Sequence, residues 1–435
     1  MIGTCAQHRS RYGRILLNGT ARVACDQIER VEDILHVSEA ATGTGQRTGA
    51  GVSFKQNIKL PFLRLYMAVS RWLPRVSSPP PAPREVRKAL LMQFGGIGDS
   101  LRMIPLIRML AGSFPAAELA TLTDQSPSLF DLAPEGFPPC RHLNFDFAHG
   151  ILRKLRRIRE LRRERFDLIV VPIVGDGFVE VGVLARLIGA RYLAGFDLDG
   201  GGLIYTHSIA FHSDRSILAQ YGSLVGAMGA AGAAQNIPLR QHAGAEAAVA
   251  SRLQDAGIAD RPLVIVHPWV GHHERFRAWP PARYRELIVH LVGELEVEVI
   301  LVGGAADREK AGSVFGNLDS RRFHDWTGEL SFLETSALVA RSRCLVCNDS
   351  CLIMIADALG VPSVAIFGST PPQQVLAEHS ICRAIVTDVE LACRPCYAHQ
   401  SLFRYRCSHD FRCLETVRVE RVLQTVRAAL AGVAA

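Results

Sequence analysis

Short apolar runs alternate along most of the chain with longer stretches in which apolar residues recur at helical spacing. The first half of this pattern predicts strands at residues 89–94, 119–123, 166–172 and 192–196. After a run of small residues, the second half predicts strands at residues 263–267, 297–302, 344–348 and 363–367. Continuous apolar runs separated by helix-length segments are typical of buried parallel strands. The chain is therefore predicted to be an α/β protein with two doubly wound domains.

Helices are predicted between the strands of the second half, at residues 282–295, 331–340 and 351–359. The second of these opens with Ser331 and Glu334, which have the spacing of a capping box. A last helix, at about 415–430, places several apolar residues on one face: Val419, Val422, Leu423, Val426 and Leu430. We expect this face to pack against the body of the protein.

The composition is that of a folded protein of more than one domain. A chain of 435 residues exceeds what one hydrophobic core usually supports. Hydrophobic residues make up 48% and charged residues 21%, which is far from the composition of a disordered chain. No apolar stretch reaches the ~18 residues of a membrane span, and the N-terminus lacks the pattern of an export signal. We therefore expect a cytoplasmic protein.

The net charge of +7 has a conspicuous local source in residues 153–165, which carry eight Lys or Arg and two Glu. Their spacing predicts an exposed helix. Its basic face is either merely solvated or in contact with acidic glycolipid or phosphate groups, which would place the protein at the periphery of the inner membrane. A nucleic-acid partner is not expected.

The N-terminal residues 1–84 differ from the rest, since they are polar and end in a Pro-rich spacer. A basic stretch with apolar residues near 55–75 resembles an interfacial helix, and a poorly ordered extension is the alternative. We divide the chain into this extension and linker (1–84), an N-terminal domain (85–245), a C-terminal domain (246–414) and a terminal helix (415–435).

A glycine-rich turn, Gly95-Gly96-Ile97-Gly98-Asp99, follows the first predicted strand. Glycines at a strand-to-helix turn let backbone amides approach an anion or a sugar hydroxyl, so Gly96 and Gly98 are candidate donor-binding residues. Asp99 is expected at the carboxyl end of the strand, where open α/β sheets bind ligands. A carboxylate there either acts as a general base or simply caps the helix.

Polar residues also follow the predicted strands of the second half. Arg277 lies in the loop after residues 263–267, where its fork of N–H donors suits a diphosphate. The candidate donor-binding residues at these strand ends are His267, Gly304, Asp307, Asp349, Ser350 and Cys351. Because parallel strands end at the same edge of a sheet, these residues predict one ligand-binding cleft.

This order of elements resembles glycosyltransferase family 9, the ADP-heptose to lipopolysaccharide heptosyltransferases, over about residues 88–430. The motifs that carry the resemblance are Gly98-Asp99, Arg277-Ala278-Trp279-Pro280, Gly303-Gly304, Trp326-Thr327-Gly328, Asn348-Asp349-Ser350 and Phe367-Gly368-Ser369-Thr370. The resemblance implies the GT-B layout, in which an acceptor domain and a nucleotide-sugar domain, both Rossmann-like, face each other across a cleft. A terminal helix in this layout commonly crosses back onto the first domain.

The resemblance also implies an inverting transfer of a heptose, or a related sugar, from a nucleotide sugar such as ADP-heptose. The acceptor would be a hydroxyl of a lipopolysaccharide core or of a protein. Asp99 would deprotonate this hydroxyl, and Arg277 would offset charge on the departing nucleotide diphosphate. Asp349 and Ser350 would seat the phosphates, while Asp307 would hold hydroxyls of the ribose or the base side. No metal or other cofactor is implied for catalysis.

Two positions depart from the family pattern: Cys351 stands where Gly is usual, and Met354 where His is usual. Two alternatives therefore stay open. One is a nucleotide-sugar epimerase of the same layout, and the other is a non-catalytic protein that binds a nucleotide sugar or serves in assembly.

Four of the eleven cysteines lie close together in the sequence: Cys393, Cys396, Cys407 and Cys413. Four thiolates, with the first pair two residues apart, suit a tetrahedral zinc or iron site, and free or redox-active thiols are the alternative. The segment also resembles the cysteine-rich tail of autotransporter heptosyltransferases, which implies a structural iron site. If one of the four cysteines is not a ligand, His399 or His409 would take its place.

Overall fold

Two separate parallel β-sheets form the framework of the protein, which is described from a computed structural model. The structure describes residues 79–174, 178–198, 201–234, 236–271, 274–318, 320–396, 407 and 409–432. The predicted basic stretch near residues 55–75 lies outside these residues, as do the first two residues of the Pro-rich spacer, Ser77 and Ser78.

The first sheet has six parallel strands in the order β3-β2-β1-β4-β5-β6. They are β1 (Lys88–Met92), β2 (Glu118–Thr123), β3 (Cys140–Asn144), β4 (Leu168–Val171), β5 (Tyr192–Asp197) and β6 (His207–Ala210). The helices of this lobe are α1 (Ile97–Leu101), α2 (Met103–Ser113), α3 (Ile151–Arg163), α4 (Phe178–Ile188) and α5 (Ile217–Gly226). The strand order reverses between β1 and β4, and open sheets bind ligands at such a reversal.

The second sheet repeats this topology, in the order β12-β11-β10-β7-β8-β9. Its strands are β7 (Leu263–His267), β8 (Glu298–Leu301), β9 (Phe323–Asp325), β10 (Cys344–Asn348), β11 (Ser363–Ile366) and β12 (Arg383–Ile385). The helices are α6 (Ala243–Asp255), α7 (Pro281–Glu294), α8 (Arg308–Phe315), α9 (Phe332–Ala340), α10 (Leu352–Ala358), α11 (Pro372–Val375), α12 (Arg412–Glu415) and α13 (Val419–Ala431). The order reverses between β7 and β10.

The predicted α/β class with two doubly wound domains is thus confirmed, and each of the eight predicted strands is present within a few residues of its expected bounds. The capping box of α9 is present as well. The Glu334 amide donates to Ser331 Oγ at 3.2 Å, and the Ser331 amide donates to Glu334 Oε2 at 2.7 Å. These two bonds satisfy N–H groups that a helix start otherwise leaves without a partner.

Alternate residues of the second sheet face two different cores. On β7, Leu263 and Ile265 belong to a core that continues into the first lobe, whereas Val264 and Val266 face the outer helices of the second lobe. The same alternation on β10 places Leu345 in the first core. A continuous apolar interior therefore joins the two lobes.

The terminal helix α13 corrects one expectation. It packs against α7 and against strands β10 and β11, and its buried residues Val419, Val422 and Val426 belong to the outer core of the second lobe. The expected crossing back onto the first domain is therefore wrong, because the apolar stripe of this helix is used to cover its own lobe.

Candidate active site

The turn after β1 brings Asp99 back over its own glycines. Gly95 has a φ of +136°, a backbone conformation that favours glycine. Its carbonyl accepts a hydrogen bond from Gln125 Nε2 at 2.7 Å, which fixes the turn. A Cβ added at Gly95 would lie 3.1 Å from Asp99 Oδ2, so the carboxylate occupies the space that a larger residue would need.

Arg102 holds the other oxygen of the Asp99 carboxylate. Its Nη1 donates to Asp99 Oδ1 at 2.7 Å, three residues along the same chain segment. The Arg102 side chain is 6% exposed, while that of Asp99 is 35% exposed. The carboxylate is therefore anchored from the inside and still reachable from solvent. Sequence reasoning missed Arg102, although a cation among the apolar residues of α1 and α2 was a usable signal.

The start of α1 lies directly against α10 of the second lobe. A Cβ added at Gly98 would come within 3.3 Å of Cys351 Cβ and 3.1 Å of Met354 Cε. Glycine at this position permits the approach of the two helices. Asp99 therefore lies beside the line along which the lobes meet.

Asn348, the last residue of β10, joins three parts of the second lobe. It is fully buried, and its Oδ1 accepts hydrogen bonds from the Trp279 amide at 3.0 Å and the Tyr284 hydroxyl at 2.9 Å. Its Nδ2 donates to the Pro268 carbonyl at 2.8 Å. The loop that carries Arg277 is thereby fixed at both ends to the end of β10.

Arg277 lies between two carboxylates of this lobe. Its Nε is 3.3 Å from Asp349 Oδ2, and its Nη1 is 3.4 Å from Glu274 Oε1. Asp349 is almost fully buried, and the Arg277 side chain is 22% exposed. A guanidinium on which two carboxylates converge is held in place at the end of β10.

The Cys351 thiol is affected by charged groups of both lobes. Burial raises the pKa of its thiol to about 12, so the thiol is neutral. The nearby Arg102 acts in the opposite direction on this pKa, while Glu274 and Asp99 raise it further. The thiol therefore lies within electrostatic range of Asp99 and Arg102 from the first lobe and of Glu274 from the second. Glu274 had no recognisable sequence signal.

His267 is a buried neutral imidazole at the end of β7. Burial lowers its pKa to about 4, so it carries no charge near neutral pH. Its Nδ1 has no hydrogen-bond partner among the described residues. This position suits a group that hydrogen-bonds a ligand, and it does not suit a cation for a diphosphate.

The second glycine turn, after β8, is braced by Asp307. The Gly304 amide donates to Asp307 Oδ2 at 3.1 Å, and Lys310 Nζ lies 4.0 Å from its Oδ1. A Cβ at Gly303 would come within 2.4 Å of the Trp269 ring, which explains the glycine there. In this arrangement Asp307 stabilises its own turn.

Hydroxyl groups surround the neighbouring strand ends. Ser350 Oγ is buried with no hydrogen-bond partner among the described residues, and Ser369 Oγ donates to the Phe276 carbonyl at 3.2 Å. Thr370 Oγ1 is buried, with no partner among the described residues. This edge of the sheet thus combines hydroxyls, a neutral imidazole and a fixed guanidinium, which are groups that bind phosphate and sugar oxygens.

The four clustered cysteines are near one another but do not form a metal centre as they stand. Burial is the main cause that raises the pKa of Cys413 to about 11, and Cys396, Cys407 and Cys393 add to the shift. Within the described ranges, however, no three His, Cys, Asp or Glu side chains are placed to hold a metal ion. His399 lies outside the described residues.

None of the described helices has the length and apolarity that a membrane crossing requires.

Comparison with known proteins gives the family. Residues 154–405 match the family model of glycosyltransferase family 9 (heptosyltransferase). The chain belongs to glycosyltransferase family 9. The match includes α3 and most of the second lobe, with Arg277, Asn348 and Asp349. Asp99 lies before the matched residues, so its importance rests on the geometry described above.

Similar proteins agree with this membership. Lipopolysaccharide heptosyltransferase 1 of Pseudomonas aeruginosa is 24% identical over 308 residues, which are 66% of this chain and 79% of that protein. The structure of ADP-heptose lipopolysaccharide heptosyltransferase II from Escherichia coli has a TM-score of 0.61 at 20% identity, over 80% of this chain and 100% of that one.

A second similar structure is the dodecameric, iron-containing heptosyltransferase TibC of enterotoxigenic E. coli, in complex with ADP-D-β-D-heptose. It has a TM-score of 0.50 at 14% identity and covers 80% of this chain and 77% of that one. The family model and these similar proteins together make the present chain a heptosyltransferase-like glycosyltransferase with the GT-B fold.

Proposed function

We propose that this glycosyltransferase transfers a heptose from ADP-heptose, with inversion, to a hydroxyl of a lipopolysaccharide core sugar. The observation that carries the proposal is the approach of charged groups from both lobes at Gly98 and Cys351, where a Cβ added at Gly98 would lie 3.3 Å from Cys351 Cβ. Asp99 with Arg102 comes from the first lobe, and Glu274, which pairs with Arg277, comes from the second. Asp99 could thus act as the base on one side of the boundary between the lobes, and Arg277 could bind the leaving diphosphate on the other side.

The chemistry assigned to Asp99 is proton removal. Its carboxylate accepts the proton of the acceptor hydroxyl while that oxygen forms a bond to the anomeric carbon. The bond between this carbon and the diphosphate oxygen breaks, and ADP departs with the electron pair. Arg277 stabilises the charge that develops on the diphosphate. The residues present thus supply both an acid–base group and an electrostatic group for the reaction.

The donor is assigned to the strand ends of the second lobe. Asp349 holds Arg277, Ser350 opens the segment that leads into α10, and His267 is available to hydrogen-bond a sugar or phosphate oxygen. Gly96 and Gly98 offer backbone close to the sugar, and Gly304 with Asp307 would border the nucleoside. The structure of TibC in complex with ADP-D-β-D-heptose supports ADP-heptose as the donor.

The four cysteines are proposed to hold one structural iron or zinc ion. Four thiols at this spacing in the sequence suit tetrahedral coordination of zinc or iron, although the described side chains are not placed for it as they stand. A closed four-thiolate site leaves no open position, so it would take no part in the transfer. Metal analysis of the purified protein and of the double variant Cys393→Ser, Cys396→Ser tests this. Equal metal content in the two proteins would reject the site.

The acceptor and the place of action follow from the same proposal. A lipopolysaccharide core is anchored in a membrane, so the enzyme would work from the cytoplasm at the inner membrane surface. A protein hydroxyl is the alternative acceptor, and the resemblance of the cysteine-rich tail to that of autotransporter heptosyltransferases motivates it. Parallel assays with a lipopolysaccharide core acceptor and with candidate protein acceptors separate the two.

The decisive experiment is a transfer assay with ADP-heptose and Asp99→Asn. Loss of a general base is expected to lower kcat by about 10²–10⁴-fold, because proton transfer contributes roughly that factor. Asp131→Asn, an exposed carboxylate of the same lobe, is the matched control and should keep the wild-type rate. Thermal unfolding confirms that both variants are folded.

Three outcomes would count against the proposal. Wild-type turnover by Asp99→Asn would reject the base. A changed nucleotide sugar formed without acceptor would favour an epimerase. Binding of ADP-heptose, seen as an increase in Tm, without transfer to either acceptor class would favour a binding protein.

A further inference from the structure

The exposed apolar residues of the first lobe are concentrated at one place. In the part of the chain that the structure describes, eight large apolar side chains are exposed, and four of these lie within nine positions: Phe147, Ile151, Leu152 and Leu155. Ile151 and Leu152 are 68% and 79% exposed. Both belong to the first turn of α3. Single exposed apolar residues are ordinary, whereas a group of them indicates a contact surface.

Basic residues surround this apolar group. Arg153, Lys154 and Arg156 lie between and beside the apolar positions, and the whole segment 153–165 carries eight basic residues against two acidic ones. Arg156 pairs with Glu160 at 3.3 Å. Arg153 and Lys154 form no ion pair with any described residue. The nearest acidic group before the helix is Asp146, which lies 3.4 Å from His149.

We propose that this surface binds an anionic lipid bilayer. The docking face, as we name it, consists of Phe147, Ile151, Leu152, Leu155, Arg153, Lys154 and Arg156. Its apolar side chains would enter the boundary between headgroups and acyl chains, while its cations contact lipid phosphates. The combination of an exposed apolar turn with Arg153 and Lys154, which form no ion pair with a described residue, favours a bilayer. A helix face that only contacts water needs no exposed Ile151 and Leu152.

The docking face is next to the candidate base. Phe147 packs edge-on against Phe94, with ring centroids 5.0 Å apart, and Phe94 directly precedes the turn that carries Asp99. Arg157 Nε also donates to the carbonyl of Asn144, the last residue of β3, at 3.2 Å. The first turns of α3 therefore lie at the carboxyl edge of the first sheet, the same edge as Asp99.

The location of the docking face beside Asp99 extends the proposed function to a membrane-bound acceptor, and this extension rests on that function. If the acceptor sugar belongs to a glycolipid, a bilayer bound at the docking face would present that sugar to Asp99. Binding of the bilayer itself does not depend on the reaction, so the two claims can fail separately.

The test measures sedimentation of the full-length protein with vesicles. Phosphatidylcholine vesicles are compared with vesicles that also contain phosphatidylglycerol. Binding should need the anionic lipid and weaken as salt is raised, since salt screens surface charges. The pair Arg153→Gln, Lys154→Gln should lower the partition constant by about tenfold or more, because each cation near such a surface contributes appreciably. The pair Ile151→Ser, Leu152→Ser should lower it similarly.

Matched controls come from the second lobe. Val289→Ser removes an apolar side chain that is 46% exposed, and the pair Arg341→Gln, Arg343→Gln removes two exposed cations. All should bind vesicles as the wild type does. Equal binding by wild type and docking-face variants would overturn the proposal, as would binding of a single-stranded oligonucleotide or an acidic protein in the absence of vesicle binding.

Activity provides a second readout. With a water-soluble acceptor, the docking-face variants should transfer sugar at the wild-type rate, whereas with an acceptor embedded in anionic vesicles their rate should fall about tenfold. Vesicle binding without any heptose transfer would refute the proposed function and leave the docking face intact.

Discussion

Arg102 Nη1 lies 2.7 Å from Asp99 Oδ1, and this buried guanidinium is the direct partner of the candidate base. The contact links residues three positions apart, Asp99 on α1 and Arg102 in the short break between α1 and α2. Arg102 lies near the boundary with the second lobe, because its amide donates to the carbonyl of Gly98, the residue that packs against Cys351. We infer that Arg102 positions Asp99 and does not itself touch the acceptor.

A positioning role predicts a specific kinetic effect. Arg102→Ala should lower kcat by about 10–100-fold with little change in KM for the donor, since a misplaced catalytic group costs up to about 10²-fold. Arg102→Lys keeps a cation and should recover part of the loss. Steady-state kinetics measure both. A raised KM with unchanged kcat would instead mean that Arg102 binds the donor.

The buried hydrogen bonds of Asn348 predict a large effect of its replacement on stability. Its replacement by Ala leaves the Trp279 amide, the Tyr284 hydroxyl and the Pro268 carbonyl without their buried partner. Each such group costs about 1–3 kcal/mol, so Asn348→Ala should lower the free energy of unfolding by several kcal/mol in a urea titration.

The control for Asn348 is Ser331→Ala, which removes the exposed cap of α9 and should cost only about 1 kcal/mol. A loss no larger than this for Asn348→Ala would show that water replaces the buried bonds.

The framework of both lobes could be predicted because its central strands are buried on both faces. Strands β7 and β10 consist of buried residues almost throughout, and their bounds match the prediction. The four strands that sequence reasoning missed, β3, β6, β9 and β12, are the edge strands of the two sheets. Their residues are half-buried or exposed in large part, so no apolar run marks them.

The candidate site was predictable only in part, for a different physical reason. Asp99, Asp349 and His267 follow buried strands, so their position at the sheet edge follows from topology. Glu274 and Arg102 take their meaning from contacts between separate elements, which spacing along the chain does not encode. The same holds for the terminal helix, whose apolar stripe indicated packing but not the lobe that receives it.

His267 predicts a pH dependence of stability. Its pKa is about 4 in the folded protein and near 6.5 when unfolded. The unfolded chain therefore binds this proton first as the pH falls, so stability is present above about pH 6.5 and is lost progressively toward pH 4. Between pH 7 and pH 5 the loss from this group should be about 2 kcal/mol.

Urea titrations of His267→Gln at both pH values isolate this contribution. The variant lacks the titrating imidazole, so its stability should fall by about 2 kcal/mol less than that of the wild type over this interval. His379→Gln, an exposed histidine, should behave as the wild type does. Parallel pH profiles for wild type and His267→Gln would show that the imidazole is accessible to protons in the folded state.

The rate at which the Cys351 thiol is alkylated tests whether the two lobes stay in contact in solution. With a pKa of about 12, its thiol is almost entirely protonated at pH 8, and only the thiolate reacts readily with iodoacetamide. Alkylation in the native protein should therefore be about 10³-fold slower than in protein unfolded by urea, where the pKa is near its ordinary value. Mass spectrometry of the peptide that contains Cys351 measures the two rates. Because Gly98 of the first lobe packs against this residue, rapid labelling of the native protein would mean that the lobes separate in solution and that the convergence of Asp99 and Glu274 is transient.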